Sequence, residues 1–247
     1  MRRGFSLLEI LIVIAAIGVL LAILLPALSG TRRSANEIKS LSNIRTIGQT
    51  FDAYIDEHGA YPAGRGGWAL HPDWAEPPFA LGWPGVWLTD RHWPILMHDL
   101  APWPENYQSW LSPGADSERF TSLWSGRGYT AGTASLTSYR YSNSFLARPR
   151  VWSGSGGDYD ETLVRAARRA DVRQPSQKVL LYDAEVAYLT PERMERNPRR
   201  AVGLADGSAS IRRDAEAVEP VANPLRSGYT PRIYHDTPDG THGVDVR

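Results

Sequence analysis

The chain has 247 residues, 42% of them hydrophobic, enough to bury one domain-sized core besides any membrane segment. Lysine plus arginine equal aspartate plus glutamate at 27 each, so no basic footprint points to nucleic acid or to an anionic membrane surface. Cysteine is absent, which excludes disulfides and thiolate metal sites and leaves packing to hold the fold.

The amino terminus reads MRRGFSLLEILIVIAAIGVLLAILLPAL: a basic leader, a small residue, then a long apolar helix with one acid near its start. No charged residue follows Glu9 until Arg32. At ~1.5 Å per residue the run 10–28 spans roughly 28 Å, close to the hydrocarbon thickness of a bilayer. Glu9 is the anomaly, because a carboxylate costs on the order of 2.5–3.5 kcal/mol at the bilayer centre and less near the interface. An acid placed there calls for a partner. Two plainer readings also fit: a secretory signal peptide cut near Ala27-Leu28-Ser29, and a single-pass anchor. The run exceeds the ~7–15 residues of a signal-peptide core, and neither reading accounts for Glu9. Arg2 and Arg3 on one flank against Arg32, Arg33 and Lys39 on the other leave orientation undecided by charge.

The stretch Arg3-Gly4-Phe5-Ser6-Leu7-Leu8-Glu9 resembles the processing site of type IV prepilins and type II secretion pseudopilins. The resemblance implies that a prepilin peptidase cuts after Gly4 and methylates the new amine on Phe5. Residues 1–4 are then a leader and 5–30 a transmembrane and filament-core helix. Glu9 becomes the fifth residue of the mature chain, and Gly18 and Pro26 fall where the family has its helix-loosening glycine and proline. Also implied are a cytoplasmic leader, a single-pass inner-membrane protein with a periplasmic or extracellular head, and assembly with other pilin or pseudopilin subunits. In such a filament the helices are axially staggered, so the carboxylate of one can meet the Phe5 amine of the next. In a low-dielectric core that pairing offsets a desolvation cost that neither charge could carry alone.

Residues 31–62 read as the amphipathic continuation of the same helix. Ile38, Leu41, Ile44, Ile47, Phe51, Tyr54 and Ile55 recur at three- and four-residue intervals on a face suited to a sheet, and Gly59 then Pro62 supply the stop. A single helix over 5–58 would be roughly 80 Å long; the alternative is two helices broken between Pro26 and Gly30. The stretch Asn43-Ile44-Arg45-Thr46-Ile47-Gly48, with Tyr54 and His58-Gly59-Ala60-Tyr61-Pro62, is similar to the large pilin-like family of planctomycetes and related bacteria. That family carries a cysteine just before this pattern and another in a later Cys-Pro-Ser-Asp motif. The corresponding places here are Ser40 and Ser112-Pro113-Gly114-Ala115-Asp116, so a disulfide tying stem to head, if the family uses one, is missing.

The head is expected over 63–247 as a small α+β unit with an antiparallel sheet and a loop-rich insertion. From Ala63 to Arg127 tryptophan, proline and glycine dominate without helical or strand period, and the indoles Trp68, Trp74, Trp83, Trp87, Trp93, Trp103, Trp110 and Trp124 are read either as core filler or as rings that stack on a sugar or a partner. Thr137 to Ser142 reads as a short strand, Asp160 to Ala170 as a basic surface helix, and Gln177 to Asp183 as a buried strand. Ala201 to Ile211 is two alternating segments around Asp206-Gly207, a strong hairpin signal. The same hairpin resembles the carboxy-terminal one of the planctomycete family, with Ser208 in place of a histidine. The tail beyond Glu216 is turn-rich and expected to wrap the head.

No catalytic constellation stands out. The six histidines have no ligand spacing, no Gly-x-Ser-x-Gly elbow occurs, and the glycine- and serine-rich turn at 153–158 lacks the lysine of a phosphate loop. Asp236, Asp239 and Asp245 are weak calcium candidates, because hard oxygen ligands lie at short spacing and major pseudopilins bind calcium in a late loop; a solvated turn is the simpler reading. No other cofactor is expected. The chain therefore reads as a non-enzymatic filament subunit. The alternative is a membrane-anchored periplasmic binding protein whose Trp-rich head takes a glycan or peptide.

Overall fold

A computed structural model describes residues 7–64, 86–118, 136–154, 159–196, 198–226 and 228–246. One helix, α1, runs unbroken from Leu7–His58, 52 residues or about 78 Å at ~1.5 Å per residue. Pro26 and Gly30 lie inside it, so the chain does not adopt two helices. An interior proline forfeits one backbone bond and costs about 3 kcal/mol or more, but the leucine, isoleucine and alanine around it favour continuation. The helix ends where expected. Gly59 takes a left-handed φ of 73° and its N–H donates to the Ile55 carbonyl at 2.7 Å, closing the carboxy-terminal turn.

Four antiparallel strands follow in simple order: β1 (Tyr139–Tyr141), β2 (Val179–Asp183), β3 (Arg199–Leu204) and β4 (Ala209–Arg213). The three-residue β1 lies where Thr137 to Ser142 predicted a strand, and every residue of β2 is buried. A bulge between Val179 and Leu181 lets Leu180 and Leu181 both join the cluster under α1, while Val179 and Tyr182 join the opposite one. Covered on both faces, β2 is apolar along its whole length. The predicted hairpin joins β3 to β4: Gly207 has φ 83°, and the Leu204 N–H donates to the Ser208 carbonyl at 2.8 Å.

The second half of α1 lies on this sheet through Ile44, Ile47, Phe51 and Ile55, with Leu41 and Tyr54 at the margin. Contact is closest at Gly203, where an added Cβ would stand 2.6 Å from Ile44 Cγ2. Ile38 departs from the expected face. It is 67% exposed, because the helical turn that first meets the head presents Ser40 and Asn43 to it instead.

Two further expectations are corrected. Residues 160–170 are not an α-helix: a short turn at Glu161–Leu163 leads into backbone laid along residues 145–148, with Arg165 N–H donating to Leu146 O and Ala167 N–H to Phe145 O. Burying Ala167 in the core favours that extended path over a solvated helix, and Arg169 reaches Asp52 and Asp56 on α1. The tryptophan-rich stretch is not all loop either. Between 65–85 and 119–135, which lie outside the described residues, α2 (Thr89–Leu96) and α3 (Trp103–Asn106) form. Helices of eight and four residues, each containing a proline, are too short to show a period.

Because α1 contributes Ile44 to Ile55 to the core while none of the described residues before Arg32 does, a fragment beginning at Arg32 is expected to be soluble and folded. A single cooperative thermal transition in a monodisperse preparation is the expected result; a molten fragment would show that the apolar half is needed for the fold.

Candidate functional site

The apolar side chains of the first half of α1 are not covered by any of the described residues. Fifteen large apolar side chains from Leu7 to Leu28 are exposed, from 49% at Ile17 to 89% at Leu7, and the most apolar stretch has mean hydropathy 3.1 with nothing buried. At about 25 cal/mol per Å² of apolar surface, leaving them in water would cost tens of kcal/mol. Lipid or neighbouring helices must cover them. Glu9 lies in the first turn of this helix, exposed among leucines and isoleucines. Among the described residues nothing lies within 4 Å of where a Cβ on Gly18 would stand. Pro26 lies in the unbroken helix, and Gly4 and Phe5 fall outside the described residues.

The helix can carry the head because a buried polar node fastens the two. Ser40 of α1 and Ser112 of the segment after α3 both donate to one oxygen of Asp183, each at 2.8 Å. The two serines whose places the sequence resemblance likened to cysteines thus meet on a carboxylate. The other Asp183 oxygen accepts from the Val186 N–H at 2.8 Å, holding that valine at φ 46°, a strained conformation for a β-branched residue. Asn43 extends the node, donating to Tyr139 Oη and to the Leu111 carbonyl, each at 3.1 Å. Burial pushes the Asp183 pKa up, against the donors that favour its charged form. At the rim, Arg199 pairs with Glu37 at 3.1 Å.

On the far face the carboxy-terminal tail is held by a second buried pair. Lys178 Nζ lies 2.9 Å from Asp245 Oδ2, with the two side chains 0% and 2% exposed, and Thr237 Oγ1 bonds to both. Asp245 Oδ2 also accepts from the Val179 N–H at 2.8 Å. Burial drives the lysine pKa down. Of the calcium candidates, Asp245 is thus engaged by an ammonium, and Asp236 accepts from the Arg232 N–H at 2.9 Å and from Asn143 at 3.3 Å. Asp239 sits at a left-handed turn with φ 58°. The three do not converge: among the described residues no three of His, Asp or Glu group to hold a metal.

The indoles that the structure describes are mainly core. Trp93 and Trp110 are 0% and 2% exposed and meet edge to face at 5.7 Å, and Trp93 donates to the Tyr139 carbonyl at 3.0 Å. Trp87 packs edge-on to the buried Trp152 at 6.3 Å. Trp68, Trp74, Trp83 and Trp124 lie outside the described residues.

Sequence reasoning passed over Ser40, Asp183 and Lys178 as functional supports. The available signal was a charge at each end of the apolar run Val179 to Tyr182.

The family model described as a prokaryotic N-terminal methylation motif matches residues 1–25. The chain is 34% identical over 114 residues to the type II secretion system core protein G of Dickeya chrysanthemi, covering 46% of this chain and 70% of that protein. It is 34% identical over 114 residues to the protein of the same name from Klebsiella pneumoniae, covering 46% and 76%, and 32% identical to that of Aeromonas hydrophila, covering 46% and 75%. No solved structure matches the chain. An exposed apolar stem rooted in a methylation motif, a small antiparallel head fastened to it, and these relatives place the chain in the type II secretion system core protein G family, as a pilin-like subunit of a type II secretion-like filament.

Proposed function

We propose that the chain is cut between Gly4 and Phe5 by a prepilin peptidase, waits in the inner membrane with its head in the periplasm, and is drawn into a filament where Glu9 meets the Phe5 amine of a neighbouring copy. One observation carries this reading: α1 is a single helix whose first half exposes its large apolar side chains while its other half is fixed in the core of the head. Such a subunit gives up lipid for neighbouring stems without changing its own fold. The action is assembly rather than catalysis, in keeping with relatives named as core proteins of a secretion system. Calcium is not needed at Asp245, because the Lys178 ammonium already supplies the cation there.

Two measurements test it together. Protease added to spheroplasts is expected to degrade the head while it remains protected in intact cells. Fibres sheared from cells that overproduce the chain are expected to contain it. A head resistant in spheroplasts would place it in the cytoplasm, and a chain found only in membranes, never in fibres, would favour a plain anchor.

A further inference from the structure

Where α2, β1 and the tail segment 223–236 meet, four guanidiniums gather around one buried histidine. Arg140 of β1 pairs with Asp90 of α2 at 2.6 Å, and Arg91 Nε lies 3.8 Å from the other Asp90 oxygen. Arg226 lies over the Tyr229 ring at 3.8 Å and Arg232 is 5.5 Å from the same ring. Tyr229 in turn stands 6.3 Å from the His235 ring. Against four cations there are two carboxylates, Asp90 and Asp236, and the latter is occupied by Asn143 and the Arg232 backbone. Neither Arg226 nor Arg232 has a carboxylate partner among the described residues.

The donors are unmet as well as the charge. Among the described residues Arg226 Nη1, Arg91 Nε, Asn223 Nδ2 and both nitrogens of His235 are buried without a hydrogen-bond partner, as is the Asp90 Oδ1 acceptor 3.8 Å from Arg91 Nε. His235 is 0% exposed, and its Nε2 is 3.6 Å from Asp90 Oδ2, beyond hydrogen-bond reach. Burial, then the surrounding arginines, hold its pKa well below the usual range, so it is a neutral ring with one N–H to offer. Buried donors left without acceptors cost on the order of 1–3 kcal/mol apiece, and crowded like charges add to that. An anion relieves both.

We propose that this cluster binds a small tetrahedral oxyanion of the phosphate or sulfate class, held chiefly by Arg226, Arg232 and Arg91 with the His235 N–H behind them. The shape follows from the donors. A planar carboxylate matches one guanidinium fork, whereas groups arriving from α2 and from two places along the tail suit an acceptor with oxygens in several directions. A doubly charged ion also balances the two cations in excess of Asp90 and Asp236. Asp90 stays paired with Arg140 at 2.6 Å, its other oxygen 3.8 Å from Arg91 Nε, so the ion is placed on the Arg226 and Arg232 side of the cluster. Bound there, the anion ties the tail to α2 and to the edge strand β1.

Calorimetric titration of the full-length protein in detergent micelles tests this, with inorganic phosphate and sulfate as probes and acetate at matched ionic strength as control. Saturable one-site binding of phosphate or sulfate is expected, without binding of acetate, and the tighter of the two identifies the source. Arg226→Gln and Arg232→Gln should each weaken it by roughly tenfold or more, while Arg150→Gln, elsewhere on the head, leaves it unchanged. Arg232 is exposed, so its variant keeps the fold even if Arg226→Gln does not, and the melting temperature in anion-free buffer checks both. No saturable heat with either probe, undiminished binding in Arg232→Gln, or acetate bound as tightly as phosphate would overturn the proposal.

Discussion

Glu9→Val is expected to abolish filament assembly while leaving membrane insertion and leader cleavage largely intact. Insertion depends on the apolar run, which valine extends, and cleavage depends on Gly4. Assembly differs because the Phe5 amine would enter the filament core with no counter-charge. Removing one partner of a buried ion pair costs about 3–5 kcal/mol, and the loss recurs at every subunit added, so growth is blocked rather than slowed. Co-expression with the unaltered protein should partly restore incorporation, since the amine of a variant subunit can still meet the carboxylate of a native neighbour. Immunoblots of sheared fibres against membranes read both results. Normal fibres from Glu9→Val alone would leave the acid without the role given to it here.

Lys178→Met is expected to destabilise the head by about 3–5 kcal/mol, measured by urea unfolding of the fragment beginning at Arg32. The cost arises less from the lost attraction than from what remains: Asp245, 2% exposed, would lose its cation and be left with the Val179 N–H and the Thr237 hydroxyl. Adding Asp245→Asn to the same fragment should recover much of the loss, because a neutral amide still accepts from Val179 without needing a cation. The double-mutant cycle isolates that coupling. Calcium should neither raise the melting temperature of the native fragment nor should a chelator lower it, since the ammonium holds the position. A calcium-dependent rise in the native protein would show that the tail binds the ion after all. Equal stability of Lys178→Met and the native fragment would show that the pair is incidental to the fold.

The stem was legible in the sequence because each of its properties is local. Fifteen large apolar side chains between Leu7 and Leu28 need no tertiary context to be read, and Gly59 ends α1 through its own backbone freedom. The Asp206-Gly207 turn is local in the same way. What could not be read depends on residues far apart in the chain. Ser40 is an ordinary polar residue until Asp183, 143 positions away, is brought to it, and Lys178 next to an apolar strand marks a boundary until Asp245 folds back. The backbone at 160–170 followed the same logic: its arginines fit a surface helix, but pairing with residues 145–148 and the burial of Ala167 decided the matter from outside the segment. Ile38 shows the limit of periodicity, since a helix can keep its apolar spacing past the edge of the surface it packs on.

Mass spectrometry of the mature amino terminus tests most directly the claim that this chain is a processed filament subunit. The expected species begins at Phe5 and carries one methyl group on its amine, which fixes both the cut after Gly4 and the position of Glu9 as fifth in the mature chain. A chain retaining Met1 would mean a plain anchor, and one beginning near Gly30 or Thr31 would mean a signal peptide; either would contradict it.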